Sequence, residues 1–235
     1  MLTLLARPGS LVAGATVELD PDQRHHLKVR RRGAGAEVRL VDGAGCTAVG
    51  RVEEGSPARV VGLDRVRSHP TPSPLTLAVG AGARDRFGWL VEKAAELGVT
   101  RVVPVITELC AGVAARLRDG GMDRVRRRAR EALTQCGSAW APLVEDPRPL
   151  ARFVEEAARG AGARWLATAD GRSPPVALEA GAVVVAVGPE GGFTGRERDL
   201  LVEAGFEPTS LGVHTLRFET AAIVAAALVA ARRPD

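Results

Sequence analysis

Residues 183–206, VVVAVGPEGGFTGRERDLLVEAGF, decide the fold. The apolar run Val183 to Val187 has the length of a buried strand. It breaks at Gly188-Pro189-Glu190-Gly191-Gly192, and a helix then opens with Thr194 and Glu197 in capping-box register. Residues 210–231, SLGVHTLRFETAAIVAAALVAA, supply a second loop, Gly212 to Thr220, ahead of an almost continuous alanine-rich helix. Glycine-marked loops that follow strands bring main chain, rather than side chains, up to a ligand at the strand ends. No Gly-Lys-Ser/Thr follows the first loop and it lacks G-x-G-x-x-G spacing, so neither a phosphate-binding P-loop nor a dinucleotide fingerprint is present.

Upstream, strands and helices alternate. Leu75 to Val79, Val99 to Ile106, Arg164 to Thr168 and Val183 to Val187 read as strands. Arg86 to Leu97 reads as a helix with Phe87, Leu90, Val91 and Ala94 on one face and Gly98 as its stop. Met122 to Cys136 reads as another, ended by Gly137, with Val125, Ala129, Leu133 and Cys136 as its buried stripe. This alternation predicts an α/β fold with a mainly parallel sheet and helices on both faces.

His69-Pro70-Thr71-Pro72-Ser73-Pro74 is proline-dense enough for an extended, semi-rigid linker. Before it, Thr16 to Leu19, Glu37 to Val41, Thr47 to Val52 and Arg59 to Leu63 read as short strands, with Asp42-Gly43 as a turn. One helix interrupts them, capped by Asp20 with Pro21 at its first position. The expectation is a small β-barrel domain over residues 1–70 and an α/β domain over 71–235.

The chain has 235 residues, 46% apolar and 26% charged, as expected of a globular protein with a proper core. Net charge is +4 and the pI near 9.6, which is compatible with a nucleic acid partner. Cys46, Cys110 and Cys136 are widely spaced, so neither a disulfide framework nor a zinc site is indicated, and a reducing cytoplasm is expected. MLTLLARPG has no basic segment before its apolar run and does not read as a secretion signal. Ala221 to Ala231 is too short to span a bilayer, so no membrane association is expected.

GPEGGF, followed by SLG and LR-x-ETA, resembles the C-terminal half of the SPOUT class of RNA methyltransferases. The whole chain more narrowly resembles the bacterial enzymes that methylate N3 of one uridine in 16S ribosomal RNA. Arg24-His25-His26-Leu27, KAAELGV at 93–99 and the Glu131 to Gly137 segment extend the likeness along the chain. The resemblance implies a trefoil-knotted SPOUT domain, a PUA-like RNA-binding barrel before it, a homodimer whose sites borrow partner residues, and the small ribosomal subunit as partner. It implies S-adenosylmethionine as cofactor, in a pocket of Gly188, Pro189, Glu190, Gly191, Gly192, Leu211, Gly212, Leu216, Arg217 and Thr220.

Uridine N3 is protonated at neutral pH, and the sulfonium of that cofactor already carries an activated methyl, so no metal is needed. The protein must align N3 with the methyl carbon and help the proton leave. Arg217 suits the negative charge developing on the uracil oxygens. Glu190 or Glu219 could accept the proton, or either could simply order its loop or cap a helix start. For RNA, Arg24, His25, His26, Arg30, Arg86, Arg126 and Arg127 are the candidates. The run Arg124, Arg126, Arg127, Arg128 and Arg130 against Asp123 is lopsided enough to favour phosphate over a merely solvated face.

Four places depart from the family pattern. Phe218 stands where threonine is usual, Gln135-Cys136-Gly137-Ser138 replaces Gln-Ser-Gly-Arg, Leu109-Cys110 replaces Arg-Ser, and Ala83-Arg84-Asp85-Arg86 lacks a lysine. They keep two alternatives open: a SPOUT enzyme acting on a ribose 2′-hydroxyl or another base, and an RNA-binding or ribosome-assembly protein without catalysis.

Overall fold

The computed structural model describes residues 1–55, 58–110 and 121–232. The chain forms two compact units, Met1–Thr71 with Arg130–Ala141, and Pro72–Ala129 with Pro142–Asp235.

The first unit is a curled, mainly antiparallel sheet. Its strands are β1 (Leu2–Leu5), β2 (Val17–Glu18), β3 (Glu37–Val41), β4 (Cys46–Glu53) and β5 (Arg59–Ser68), in the order β1-β3-β4-β5-β2. Alternation sets its inner face: Val38 and Leu40 of β3 and Ala48 and Val52 of β4 are buried with Leu4, Val60 and Leu63. Helix α1 (Pro21–Val29) starts at Asp20, which forms a reciprocal capping box with Gln23. Gln23 Nε2 also donates to the Leu5 carbonyl at 2.5 Å, tying α1 to β1. At the Asp42-Gly43 turn the buried Asp42 carboxylate accepts from the Ala44 and Cys46 amides, and Gly43 takes φ +72°.

The second unit contains β6 (Leu75–Gly80), α2 (Arg84–Glu96), β7 (Arg101–Ile106), and the helix α3 (Gly121–Cys136), whose last turns count with the first unit. It continues through β8 (Leu143–Val144), β9 (Arg148–Pro149), α4 (Leu150–Arg159), β10 (Ala163–Arg172) and β11 (Val183–Val187). It ends with α5 (Gly195–Glu203), β12 (Glu207–Thr209) and α6 (Phe218–Arg232). The sheet order is β12-β10-β11-β6-β7-β8, with β9 also on β7, and all these pairings are parallel.

Side-chain parity splits the core into two layers. Leu75, Leu77 and Val79 of β6, with Val183, Val185 and Val187 of β11, pack against apolar residues of α2, α3 and α6. Ala78, Val103, Val105, Leu166 and Ala186 face the other way, onto Leu150, Phe153 and Val154 of α4 and Leu201 of α5. Burial on both faces explains why these strands read as continuous apolar runs.

Two details correct the sequence reading of α3. Met122, Val125, Ala129, Ala132 and Leu133 form its buried side, while Cys136 is exposed in the final turn, just before Gly137 leaves the helix at φ +73°. Its arginines are also not equivalent. Arg126 donates to the Val144 carbonyl and pairs with Asp146 at 2.7 Å and Asp123 at 3.3 Å. The Arg130 guanidinium reaches the carbonyls of Ala6 and Asp42. Arg128 lies over Gly88 of α2. Arg124 and Arg127 are exposed.

Candidate active site

Two loops that follow parallel strands, and the strand β10 beside them, surround a cavity of about 630 Å³ in the second unit. The middle of β10 contributes Leu166 to Ala169, the loop after β11 contributes Gly188 to Phe193, and the segment after β12 contributes Leu211, Gly212 and His214 to Phe218. Arg86 of α2 and Ala221 of α6 complete much of its wall. The strand ends of an open parallel sheet are where such folds place ligands, and the volume falls within the roughly 300–1,000 Å³ of ligand pockets.

The first loop folds back on itself because it is nearly side-chain free. A Cβ on Gly188 would stand 3.0 Å from the main chain of Gly192, and Gly192 itself takes φ +72°, where other residues are strained. The Gly192 amide closes the turn onto the Pro189 carbonyl at 2.8 Å. On the far side the loop is secured by α5. The Thr194 hydroxyl accepts from the Glu197 amide, and the Glu197 carboxylate returns to the Thr194 amide at 2.9 Å. The second oxygen of Glu197, a residue only 7% exposed, accepts from the Glu108 amide at 2.9 Å. Glu197 therefore joins the start of α5 to the segment after β7, where Leu109 lies beside Gly191. The sequence pattern identified the cap but gave no sign of this second partner.

Ion pairs mark the rim. Glu190 pairs with Arg86 at 3.5 Å, and both are about half exposed. Arg198 pairs with Asp170 at 2.9 Å. The Thr168 hydroxyl donates to Asp170, and with Arg198 it holds that carboxyl below its ordinary range. Phe218 is explained by its neighbour: its buried ring occupies the space beside Gly82, where any Cβ would collide with it.

The described geometry matches known relatives. A family model for the RNA methyltransferase domain matches residues 69–230. Ribosomal RNA small subunit methyltransferase E of Synechocystis sp. is 30% identical, over 96% of this chain and 76% of that protein. The chain belongs to the ribosomal RNA small subunit methyltransferase E family. Among solved structures, the family member from Neisseria gonorrhoeae bound to S-adenosyl methionine is 28% identical with a TM-score of 0.81, covering 97% of this chain and 95% of that one. The Legionella pneumophila methyltransferase Lpg2936, in complex with bound SAM, is 28% identical with a TM-score of 0.83, over 100% and 98%.

Of the cofactor residues expected from the sequence, Gly188, Pro189, Glu190, Gly191, Gly192, Leu211, Gly212, Leu216 and Arg217 all line the cavity. Thr220 does not, and is exposed on α6. Glu219 is 7% exposed in the first turn of α6, with one carboxylate oxygen buried and without a hydrogen-bond partner. Arg86, expected on an RNA face, lines the cavity as well. Arg24, His25, His26 and Arg30 lie on or just after α1 in the first unit; all but the half-buried Arg24 are exposed.

The lining that sequence reasoning missed includes a whole segment of β10, Leu166 to Ala169. Its signal was a strand like β11, but the pairing that places the two side by side is set by the sheet. No described helix is long and apolar enough to cross a membrane. Among the described residues, no group of three or more His, Cys, Asp or Glu side chains could hold a metal ion.

Proposed function

We propose that this chain is an S-adenosylmethionine-dependent methyltransferase acting on N3 of a uridine in 16S ribosomal RNA. The observation that carries the reading is the cavity beside β10 and after β11 and β12, built largely of glycine-rich main chain with Arg217 in its wall. Its residues fit the cofactor. Main-chain groups of 188–192 and 211–216 can read a purine edge, the apolar side chains Val187, Leu211 and Leu216 offer it a flat contact, and the Glu190 carboxylate complements a cationic sulfonium.

When bound, S-adenosylmethionine supplies a methyl group already activated for transfer to a nucleophile. Arg217, exposed in the cavity wall, donates to a uracil oxygen as charge develops there. Between the two carboxylates, Glu190 reaches the cavity and Glu219 does not. We therefore assign Glu190 the N3 proton, with Arg86 orienting its carboxylate, and Glu219 a place in the first turn of α6, where a carboxylate suits the helix N-terminus.

The rest of the reading concerns architecture. Residues 1–70 act as a PUA-like RNA-binding domain and 71–235 as a trefoil-knotted SPOUT domain. The return of the chain from the edge strand β12 to α6, packed against α2, β6 and β11 within the sheet, supports the knot. The half-buried Ile223, Val224 and Ala227 give α6 an apolar side beyond its buried one, which supports a homodimer. The direct test is calorimetric titration with S-adenosylmethionine, followed by methyl transfer to small ribosomal subunits lacking the mark. Saturable cofactor binding with 3-methyluridine as the product supports the assignment. Binding with a methyl group elsewhere overturns the N3 assignment alone, and no binding overturns the reading.

A further inference from the structure

The first unit carries a second, smaller concavity, of about 220 Å³, on the face of its sheet turned away from its core. Arg39 stands opposite Val49 across β3 and β4, and Thr47 stands opposite Arg67 across β4 and β5. Directly opposed residues share a face, and so do residues two apart along a strand. Arg39, Thr47 and Arg67 therefore converge there, and His69 continues the line beyond β5.

Among the described residues, no acidic side chain lines this concavity. Arg65 at its edge is already neutralised by Glu37 at 3.0 Å and Asp64 at 3.2 Å. Among the described residues, Arg39 and Arg67 have no carboxylate partner, so the positive charge is left for a ligand. The floor is mostly apolar, with Ala48 and Val49, and its polar point, Thr47, is fixed. Thr47 is 5% exposed, its hydroxyl lies 3.0 Å from His69 Nε2, and the His69 amide is held by the Gly45 carbonyl at 2.8 Å.

We propose that this concavity seats a phosphodiester of the substrate RNA. The space has room for a phosphate, and the charge beside it selects an anion. Arg39 and Arg67 on either side of a buried hydroxyl provide the paired charged donors that phosphate oxygens favour. The site would fix the position of the RNA without reading its sequence. It differs from the basic residues of α1, which lie on an exposed helix with Leu27 as its buried residue.

This proposal rests on RNA being the substrate, and the experiment separates the two. Binding of the full-length protein to isolated 16S ribosomal RNA is measured over a salt series for wild type, for Arg39→Gln with Arg67→Gln, and for Arg39→Lys with Arg67→Lys. The Gln pair should bind at least about tenfold more weakly, with the slope of log affinity against log salt reduced by about 1, the share of a single phosphate. The Lys pair should keep most of the slope, and S-adenosylmethionine affinity should be unchanged in both. Arg67→Gln alone, at an exposed position, should lower the slope by part of that amount and serves if the double variant does not fold. A wild-type slope in the Gln variants overturns the phosphate seat and leaves the methyltransferase reading intact. A wild-type protein that neither binds nor methylates this RNA overturns both.

Discussion

Gly80→Ala tests whether the first glycine loop forms the cofactor site. Gly80 ends β6, and a Cβ there would stand well inside 3.0 Å of Pro189 N and Cδ and 3.0 Å from the Gly188 carbonyl carbon. These atoms belong to main chain or to a ring fixed to it, so no side-chain rotation relieves the clash. Ordinary contact begins near 3.4 Å, so the loop must retreat by about an ångström. Overpacking of this kind costs about 1–3 kcal/mol, and each kcal/mol lowers Tm by about 2–4 °C in a chain of this size. A displacement approaching 1 Å in a positioned site costs on the order of 10- to 100-fold. S-adenosylmethionine affinity by calorimetry should therefore fall about that far, while the protein stays folded at 25 °C. Gly195→Ala is the control: its Cβ meets nothing within 4 Å and it opens α5, so affinity should hold and Tm should hold or rise slightly. A folded Gly80→Ala protein with wild-type affinity would remove the 188–192 loop from the cofactor site.

Three further outcomes are expected. Glu197→Ala strips the acceptors from the Glu108 and Thr194 amides and should cost about 2 kcal/mol or more in denaturant unfolding; an unchanged midpoint would mean those bonds do not hold the segment after β7. Arg217→Gln should lower single-turnover methyl transfer on the order of 10²-fold while changing cofactor affinity far less, and equal losses in both would make Arg217 a cofactor anchor instead. Burial alone would raise the Glu156 carboxyl, but Arg101 at 2.7 Å and Arg148 at 2.6 Å outweigh it and hold it below its usual value. A lowered folded value means stability that is present above the ordinary value of 4.5 and fades as pH falls through the lowered one. Glu156→Gln should thus be modestly less stable than wild type at pH 7 and converge with it in acid, whereas a gap constant with pH would refute the ion-pair account.

Much of this molecule was legible in its sequence because its signals are local. The loop at Gly188 to Gly192 announced itself through glycine, and the Thr194–Glu197 box lies within one helical turn. Strands buried on both faces read as apolar runs. Helix α4 has a weaker local signal: Leu150, Phe153, Val154 and Ala157 have helical spacing, but no side chain caps its start at Pro149. β8, β9 and β12 are two or three residues long, too short for any periodicity, and exist because a neighbouring strand offers its edge. β1, at the very start of the chain, lacked a turn signal before it.

The site's cross-connections were illegible for another reason. Glu197 and Glu108 are 89 residues apart, and Arg86 meets Glu190 only after the sheet has formed. The arginines of α3 show the limit most clearly. Composition made them one basic stripe, but carbonyls and carboxylates supplied by distant segments engage Arg126 and Arg130 and leave Arg124 and Arg127 exposed. The departure at Phe218 was readable only as a difference until Gly82 was found beneath its ring.

The most direct test of the central claim is nucleoside mass spectrometry on 16S ribosomal RNA from cells with and without the gene. Loss of 3-methyluridine on deletion, and its return when the gene is restored, is the predicted result. An undiminished 3-methyluridine signal in the deleted cells would contradict the assignment.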